Sequence, residues 1–119
     1  MDDEEMIREI AGEMMKILGH EVEFAEHGEE AIRKYNAALE SGNPYNAVIL
    51  DLTIRGGLGG KETIERLLLV NPEIKAIVSS GYSDDDVVSD YHNYGFSARL
   101  TKPYKLEDLR DTLNEMLSK

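Results

Sequence analysis

Six polar side chains stand where apolar segments of this sequence begin or end, and their types suit phosphate or metal chemistry. They are Asp2, Asp3, Asp51, Ser79, Ser80 and Lys102. The three carboxylates are hard oxygen ligands of the kind that Mg²⁺ prefers. A carboxylate can also attack phosphorus to form an acyl phosphate, while a lysine pairs with a phosphate oxygen and a hydroxyl hydrogen-bonds it. The set therefore indicates Mg²⁺-assisted phosphoryl transfer to a carboxylate, provided that the fold brings its members together.

The elements that must position these residues follow from the spacing of apolar side chains. Helical spacing predicts five helices, at about 4–18, 28–39, 60–70, 84–94 and 106–116. Alternating or continuous apolar residues predict four strands, at 22–24, 47–50, 76–78 and 98–100. Because helices separate these strands, the sequence predicts right-handed crossovers and a parallel α/β sheet with helices on both faces.

Ligands of such open parallel sheets bind beyond the carboxyl ends of the strands. Asp51, Ser80 and Lys102 each follow a predicted strand, and the aspartate pair precedes the first helix. We therefore expect the acidic residues, a hydroxyl and the lysine to meet at one edge of the sheet.

Composition narrows the class of protein. The 119 residues suit one domain with its own core. With 13 basic and 24 acidic residues, the formal net charge of -11 leaves no basic face for nucleic-acid binding. The absence of cysteine excludes disulfides and cysteine-based metal sites. No apolar run approaches a membrane span and no signal-peptide pattern opens the chain, so we expect a cytoplasmic domain without membrane contact.

Four short motifs resemble those of the response-regulator receiver family. They are Asp2-Asp3-Glu4, Asp51-Leu52-Thr53, Ser80-Gly81 and Lys102-Pro103, in the family's order and at its approximate spacing. The resemblance covers nearly the whole chain and implies a three-layer, flavodoxin-like parallel sheet of strand order 2-1-3-4-5. The loop at 51–60 most resembles receivers attached to hybrid sensor histidine kinases.

The resemblance also implies roles for single residues. Asp51 would accept the phosphoryl group from a histidine kinase or a phosphotransfer domain. Ser80 would be the hydroxyl that reads the phosphoryl group, and Lys102 the cation that pairs with it. Thr53 and Tyr82 would tune how fast the acyl phosphate hydrolyses.

The metal expected by resemblance is Mg²⁺. Asp3 and Asp51 would be direct ligands, Asp2 would act through water, and the backbone carbonyl of Thr53 would complete the shell. The chain itself would have at most self-phosphorylation and self-dephosphorylation activity.

The start of the sequence departs from the family pattern, in which an apolar strand precedes the aspartate pair. Here only Met1 precedes Asp2. We therefore expect residues 1–119 to form one receiver domain that lacks the first strand at its N-terminus. Because two buried sheet edges would then be unpaired, the sequence predicts rearrangement or self-association, through these edges or through swapped elements.

Other interpretations of the same residues remain open. The aspartate pair could be a helix cap, and Lys102 could be an ordinary surface lysine. A pseudo-receiver would use the fold as an interaction module without carrying phosphate. An aspartyl-nucleophile phosphatase would need a second acid two residues after its nucleophile, where this chain has Thr53.

Overall fold

The computed structural model describes residues 1–81 and 86–118 of the chain. Its elements, in chain order, are α1 (Glu5–Ile17), α2 (Gly28–Glu40), β1 (Val48–Asp51), α3 (Gly60–Val70), β2 (Ala76–Ser80), α4 (Asp86–Ser89), a 3₁₀ helix (Tyr91–Tyr94), β3 (Ala98–Thr101) and α5 (Leu106–Leu117). The strands form one parallel sheet in the order β1-β2-β3. Within the described residues, none of the helices has both the length and the apolar character needed to span a bilayer.

The central strand β2 explains the layering. All five of its residues are buried, because its side chains alternate between two hydrophobic clusters. Val78 packs with residues of α2, α3 and α4, and Ile77 packs with residues of α1 and α5. The structure thus confirms the predicted three-layer α/β fold, with helices on both faces of a parallel sheet.

Two local predictions differ from the structure. The predicted strand at 22–24 has no regular structure, because no neighbouring strand offers its backbone a ladder. The predicted helix at 84–94 is instead α4 followed by a 3₁₀ turn that ends at Gly95, whose φ of 99° suits glycine. The start of that prediction, together with Tyr82, lies outside the described residues.

The first two residues lie between β1 and Ala25. The Met1 amino group donates to the Ile49 carbonyl at 2.7 Å, and the Met1 carbonyl accepts from the Asp51 N–H at 3.0 Å. This exchange is one rung of a parallel ladder. On the other side, the Asp2 N–H donates to the Ala25 carbonyl at 3.0 Å. The strand order therefore persists without rearrangement, and Met1 holds the Asp2 backbone at the edge of the sheet.

Beside Met1, the outer edge of β1 borders an open groove of about 1440 Å³. The groove runs between residues 45–50 and residues 21–25, and its apolar walls reach both hydrophobic clusters. Val48 and Ile49 are only half-buried for this reason, whereas every residue of β2 is buried. An apolar sheet edge of this kind favours pairing with another chain.

We therefore expect the protein to self-associate with increasing concentration. Light scattering coupled to size-exclusion chromatography, run over a concentration series, should show a mass that rises above that of one chain. A constant monomer mass over the whole series would contradict the prediction.

Two glycines allow α3 to begin against the carboxyl end of β1. A Cβ at Gly59 would lie 2.5 Å from the Leu52 carbonyl oxygen, and one at Gly60 would lie 2.9 Å from that of Asp51. Both distances are too short for any other residue unless the backbone moves. The Gly60 N–H also donates to the Leu52 carbonyl, at 3.3 Å. The glycine pair thus sets the position of the segment that follows Asp51.

Gly59→Ala should lower the free energy of unfolding by about 1–3 kcal/mol, because the added methyl group would clash with the Leu52 carbonyl oxygen, a backbone atom that cannot move as a side chain can. Gly81→Ala is the matched control, since a Cβ there meets nothing within 4 Å. Urea unfolding measures both. Equal stabilities of the two variants would contradict the prediction, because they would show that the backbone at Gly59 shifts to accommodate a methyl group without cost.

Candidate functional site

A half-buried lysine lies between two buried carboxylates at the carboxyl edge of the sheet. Lys102 Nζ is 2.6 Å from Asp2 Oδ2 and 3.1 Å from Asp51 Oδ2. Asp2 is 4% exposed and Asp51 is 5% exposed. We refer to these three residues as the Asp2–Lys102–Asp51 cluster. The structure therefore brings together two aspartates and a lysine from distant parts of the chain, as the sequence analysis expected.

Backbone hydrogen bonds position each member of the cluster. Asp51 is the last residue of β1, and its N–H is bound by Met1. Lys102 directly follows β3, and its N–H donates to the Ser80 carbonyl at 2.9 Å. The peptide bond from Lys102 to Pro103 is cis. Two strand ends and the start of the chain thus converge because parallel strands end at the same edge.

Asp2 has both a local and a long-range role. Its Oδ1 accepts the Glu4 N–H at 3.0 Å, which is a turn contact just before α1. Glu4 is itself the N-cap residue and no side chain caps this helix, so the capping interpretation of Asp2 is wrong. Its main-chain carbonyl accepts from the Arg8 guanidinium at 2.9 Å. The remaining oxygen, Oδ2, faces Lys102. The local turn contact therefore leaves one carboxylate oxygen of Asp2 available to the cluster.

The charges of the cluster perturb the pKa values of its members. Burial, followed by the negative charge of Asp2, raises the pKa of Asp51 to about 6, and Lys102 offsets this only in part. Burial alone would lower the pKa of Lys102, but its contacts with Asp2 and Asp51 raise it instead. Both shifts have one origin, since a single cation serves two carboxylates. The lysine keeps its proton, and Asp51 is the group that can gain one.

The acidic residues beside the cluster suit a hard cation. Carboxylate oxygens of Asp2, Asp3 and Glu4 lie within 4.8 Å of one another. Asp2 Oδ2 is shielded from solvent, and the Lys102 ammonium group, 2.6 Å away, is the charge that faces it. Asp3 Oδ2 accepts the Arg55 N–H at 3.1 Å. An all-oxygen donor set that includes a buried carboxylate fits Mg²⁺. Glu4, which is exposed, was not among the ligands expected from sequence.

The other expected site residues lie at the same edge. Ser80 ends β2, is 5% exposed and pairs in register with Thr101. Thr53 is exposed in the segment that follows Asp51, two residues along the chain. The functional roles of Ser80 and Thr53, and their contacts with a phosphoryl group or a metal, stay predictions. Tyr82 lies outside the described residues.

Sequence reasoning named Ser79 but missed the contact of its hydroxyl group with that of Tyr104. Ser79, fully buried and in register with Asp51, is hydrogen-bonded through its side chain to the Tyr104 hydroxyl. Burial raises the pKa of Tyr104. The only signal in the sequence was that Ser79 continues a strand whose two preceding residues, Ile77 and Val78, are apolar. Nothing local connects that serine to a tyrosine 25 residues later.

Comparison with known proteins agrees with this geometry. A family profile described as the response regulator receiver domain matches residues 1–114. The response regulator TrrA of Thermotoga maritima, solved in complex with Mg(2+)-BeF, is 31% identical and superposes with a TM-score of 0.81. That comparison covers 98% of this chain and 94% of TrrA.

Two curated relatives differ greatly in length. Sporulation initiation phosphotransferase F of Bacillus subtilis is 23% identical over 98% of this chain and 90% of its own length. Sensor kinase CckA of Brucella abortus is 29% identical over 100% of this chain but only 12% of its own length. The chain spans 12–44% of three of the four curated relatives compared.

Asp51→Asn should stabilise the fold at neutral pH. Because the folded-state pKa of Asp51 is raised from 3.8 to about 6, the native state binds more protons than the unfolded state between these values. Stability from this group is therefore full at low pH and is lost as the pH rises through about 6. At 1.36 kcal/mol per pKa unit, the loss at pH 8 is at most about 3 kcal/mol.

The measurement is urea unfolding at pH 4 and pH 8 in the presence of a metal chelator. The stabilisation by Asp51→Asn should be larger at pH 8, whereas Asp111→Asn, in an exposed pair with Arg110, should change stability little at either pH. A benefit that is equal at both pH values would argue against a raised pKa.

Proposed function

Because this chain belongs to the response regulator receiver domain family of two-component signalling, we propose that Asp51 takes a phosphoryl group from a phosphohistidine. The observation that supports this most directly is the position of Lys102 Nζ, 3.1 Å from Asp51 Oδ2. A phosphoryl group on that oxygen would meet a cation already held beside it. A histidine kinase or a phosphotransfer domain would be the donor partner.

The transfer replaces one bond to phosphorus by another. An Asp51 carboxylate oxygen attacks phosphorus as the phosphorus–nitrogen bond of the phosphohistidine breaks. The electron pair of that bond returns to the imidazole nitrogen, which takes up a proton. The product is an acyl phosphate on Asp51 and a free histidine on the donor. Most of the catalysis in such transfers is positioning and charge stabilisation, and the chain provides both at this edge.

Each neighbouring residue has a part in this proposal. Lys102 pairs with a phosphoryl oxygen once Asp51 is modified. Ser80, one residue beyond the register partner of Asp51, hydrogen-bonds the phosphoryl group and responds to its arrival. Asp2, Asp3, Asp51 and the Thr53 carbonyl would hold Mg²⁺, which would supply neutralising charge for the phosphoryl oxygens. The Mg(2+)-BeF complex of the related TrrA supports this metal.

The raised pKa of Asp51 sets a pH condition on the reaction. The attacking form is the carboxylate, and its pKa of about 6 makes it the main form only above that pH in the absence of metal. A bound Mg²⁺ would add positive charge beside Asp51 and would favour the carboxylate form further. The proposed reaction is therefore suited to neutral pH.

A pseudo-receiver is the second candidate, and one observation favours it. Lys102 lies closer to Asp2 than to Asp51, at 2.6 Å against 3.1 Å. If Lys102 paired only with Asp2, it would have a structural role and would not be available to a phosphoryl group on Asp51. The phosphatase interpretation has less support, since the exposed Thr53 provides no carboxyl group for proton transfer.

Incubation with acetyl phosphate and Mg²⁺, followed by intact mass spectrometry, tests the proposal. The protein should gain one phosphoryl group, and Asp51→Asn should gain none. Lys102→Met should be slower by about 100-fold, which is typical of losing one charge-stabilising group. Lys105→Met, at an exposed lysine three residues later, should react at the normal rate.

Two outcomes would contradict the proposal. A gain of phosphoryl in Asp51→Asn would place the acceptor elsewhere. A wild-type protein that stays unmodified at saturating Mg²⁺ and phosphodonor would support the pseudo-receiver instead.

A further inference from the structure

Ser79 connects the two segments that carry the reactive groups. Its backbone carbonyl accepts the Leu52 N–H at 2.9 Å, and Leu52 directly follows Asp51. Its side chain is hydrogen-bonded to the Tyr104 hydroxyl, and Tyr104 lies two residues after Lys102. A single fully buried serine of β2 therefore contacts both the acceptor segment and the lysine segment.

The chain around Lys102 is held at two points on β2. The Lys102 N–H donates to the Ser80 carbonyl at 2.9 Å, and the Tyr104 hydroxyl contacts the Ser79 side chain. The Tyr104 ring packs against the hydrophobic cluster that contains Ile77 and Leu109. Lys102 thus emerges between two anchors on consecutive residues of the central strand, and its ammonium group reaches the cluster from a fixed base.

Packing alone does not account for the two hydroxyl groups. Ile77, two residues before Ser79 on the same face of β2, shows that this face accepts a large apolar side chain. An apolar residue at 79 and a phenylalanine at 104 would fill the same layer without placing two hydroxyls in it. Burying a hydroxyl costs free energy unless it finds a partner. The pair is therefore a polar contact retained inside an apolar layer, next to the charged cluster.

The charged cluster gives this contact a consequence. The Lys102 ammonium group contacts two carboxylates, and that of Asp2 is the closer one. A small movement of the segment that carries Lys102 would let the ammonium group withdraw to Asp2. The Tyr104 hydroxyl is close enough for the charges of Lys102, Asp2 and Asp51 to act on it.

We propose that the Ser79–Tyr104 hydroxyl pair positions Lys102, so that its ammonium group stays within reach of Asp51. Ser79 and Tyr104 are positioning residues, which act through Lys102 and not on phosphorus. The inference rests on the proposed function of Asp51 where it concerns the rate of phosphorylation. Its structural part, the position of the Lys102 ammonium group, stands separately.

The test compares Tyr104→Phe, Ser79→Ala and the double variant in the phosphorylation assay with acetyl phosphate and Mg²⁺. Each single variant should react roughly tenfold more slowly, because small misplacements of an assisting group slow a reaction strongly. The double variant should be no slower than the slower single variant, because either change removes the same contact. Ser79→Thr, which keeps the hydroxyl, should recover most of the rate.

Tyr35→Phe is the matched control for the loss of a buried tyrosine hydroxyl. Tyr35 is 2% exposed, and its hydroxyl accepts from Asn71 Nδ2 at 3.0 Å in the opposite hydrophobic cluster. This variant should lose stability but keep the normal rate of phosphorylation. An equal slowing in Tyr35→Phe would mean that the effect is a general loosening of the core, and would overturn the proposal.

A second readout does not depend on phosphorylation. In ¹⁵N NMR, the Lys102 ammonium signal should shift in Tyr104→Phe and Ser79→Ala but stay in place in Tyr35→Phe. If the wild-type protein takes no phosphoryl group, the proposed function fails, and this signal alone decides the positioning role. A Lys102 signal that is unchanged in all variants, or rate losses that multiply in the double variant, would overturn the inference.

Discussion

The Lys102 ammonium group lies between the carboxylates of Asp2 and Asp51, which are both shielded from solvent. A buried charge is tolerated only when it is paired, and here one cation must serve two anions. The three groups come from the start of the chain, the end of β1 and the residue after β3. Because Coulomb energies are large in a poorly solvated site, the separation of these charges matters and each segment must be held in place.

The fold meets this requirement through β2. Its carbonyl groups bind Leu52 on one side and Lys102 on the other, so the neighbours of the reactive groups are tied to one strand. Side chains of β2 lie in both hydrophobic clusters, and β2 is the most fully buried strand of the described sheet. On the remaining side, Met1 and Ala25 hold the Asp2 backbone. The site is thus a property of the sheet edge and not of any one loop.

Sequence reasoning succeeded where a pattern is local or where topology forces a contact. The apolar run of β2 predicts a strand buried on both faces, and parallel strands that end together predict that Asp51 and Lys102 meet. It failed at 22–24, because alternation shows that a strand is possible but not that a partner strand is present. It also missed the contact of Ser79 with Tyr104, since tertiary packing alone brings those residues together. The rung formed by Met1 depends on backbone groups and leaves no trace in residue types.

The raised pKa of Asp51 indicates that its charged form is destabilised in the fold. Replacing a buried ion pair by apolar residues is often neutral or stabilising, and here the second carboxylate adds repulsion. The cost must be offset by apolar burial elsewhere, and the two clusters on either face of β2 provide it. A carboxylate that is destabilised in its charged form gains more from neutralising cations than a solvated one does. The same burial that weakens the fold at Asp51 therefore strengthens its response to a cation or to a transferred group.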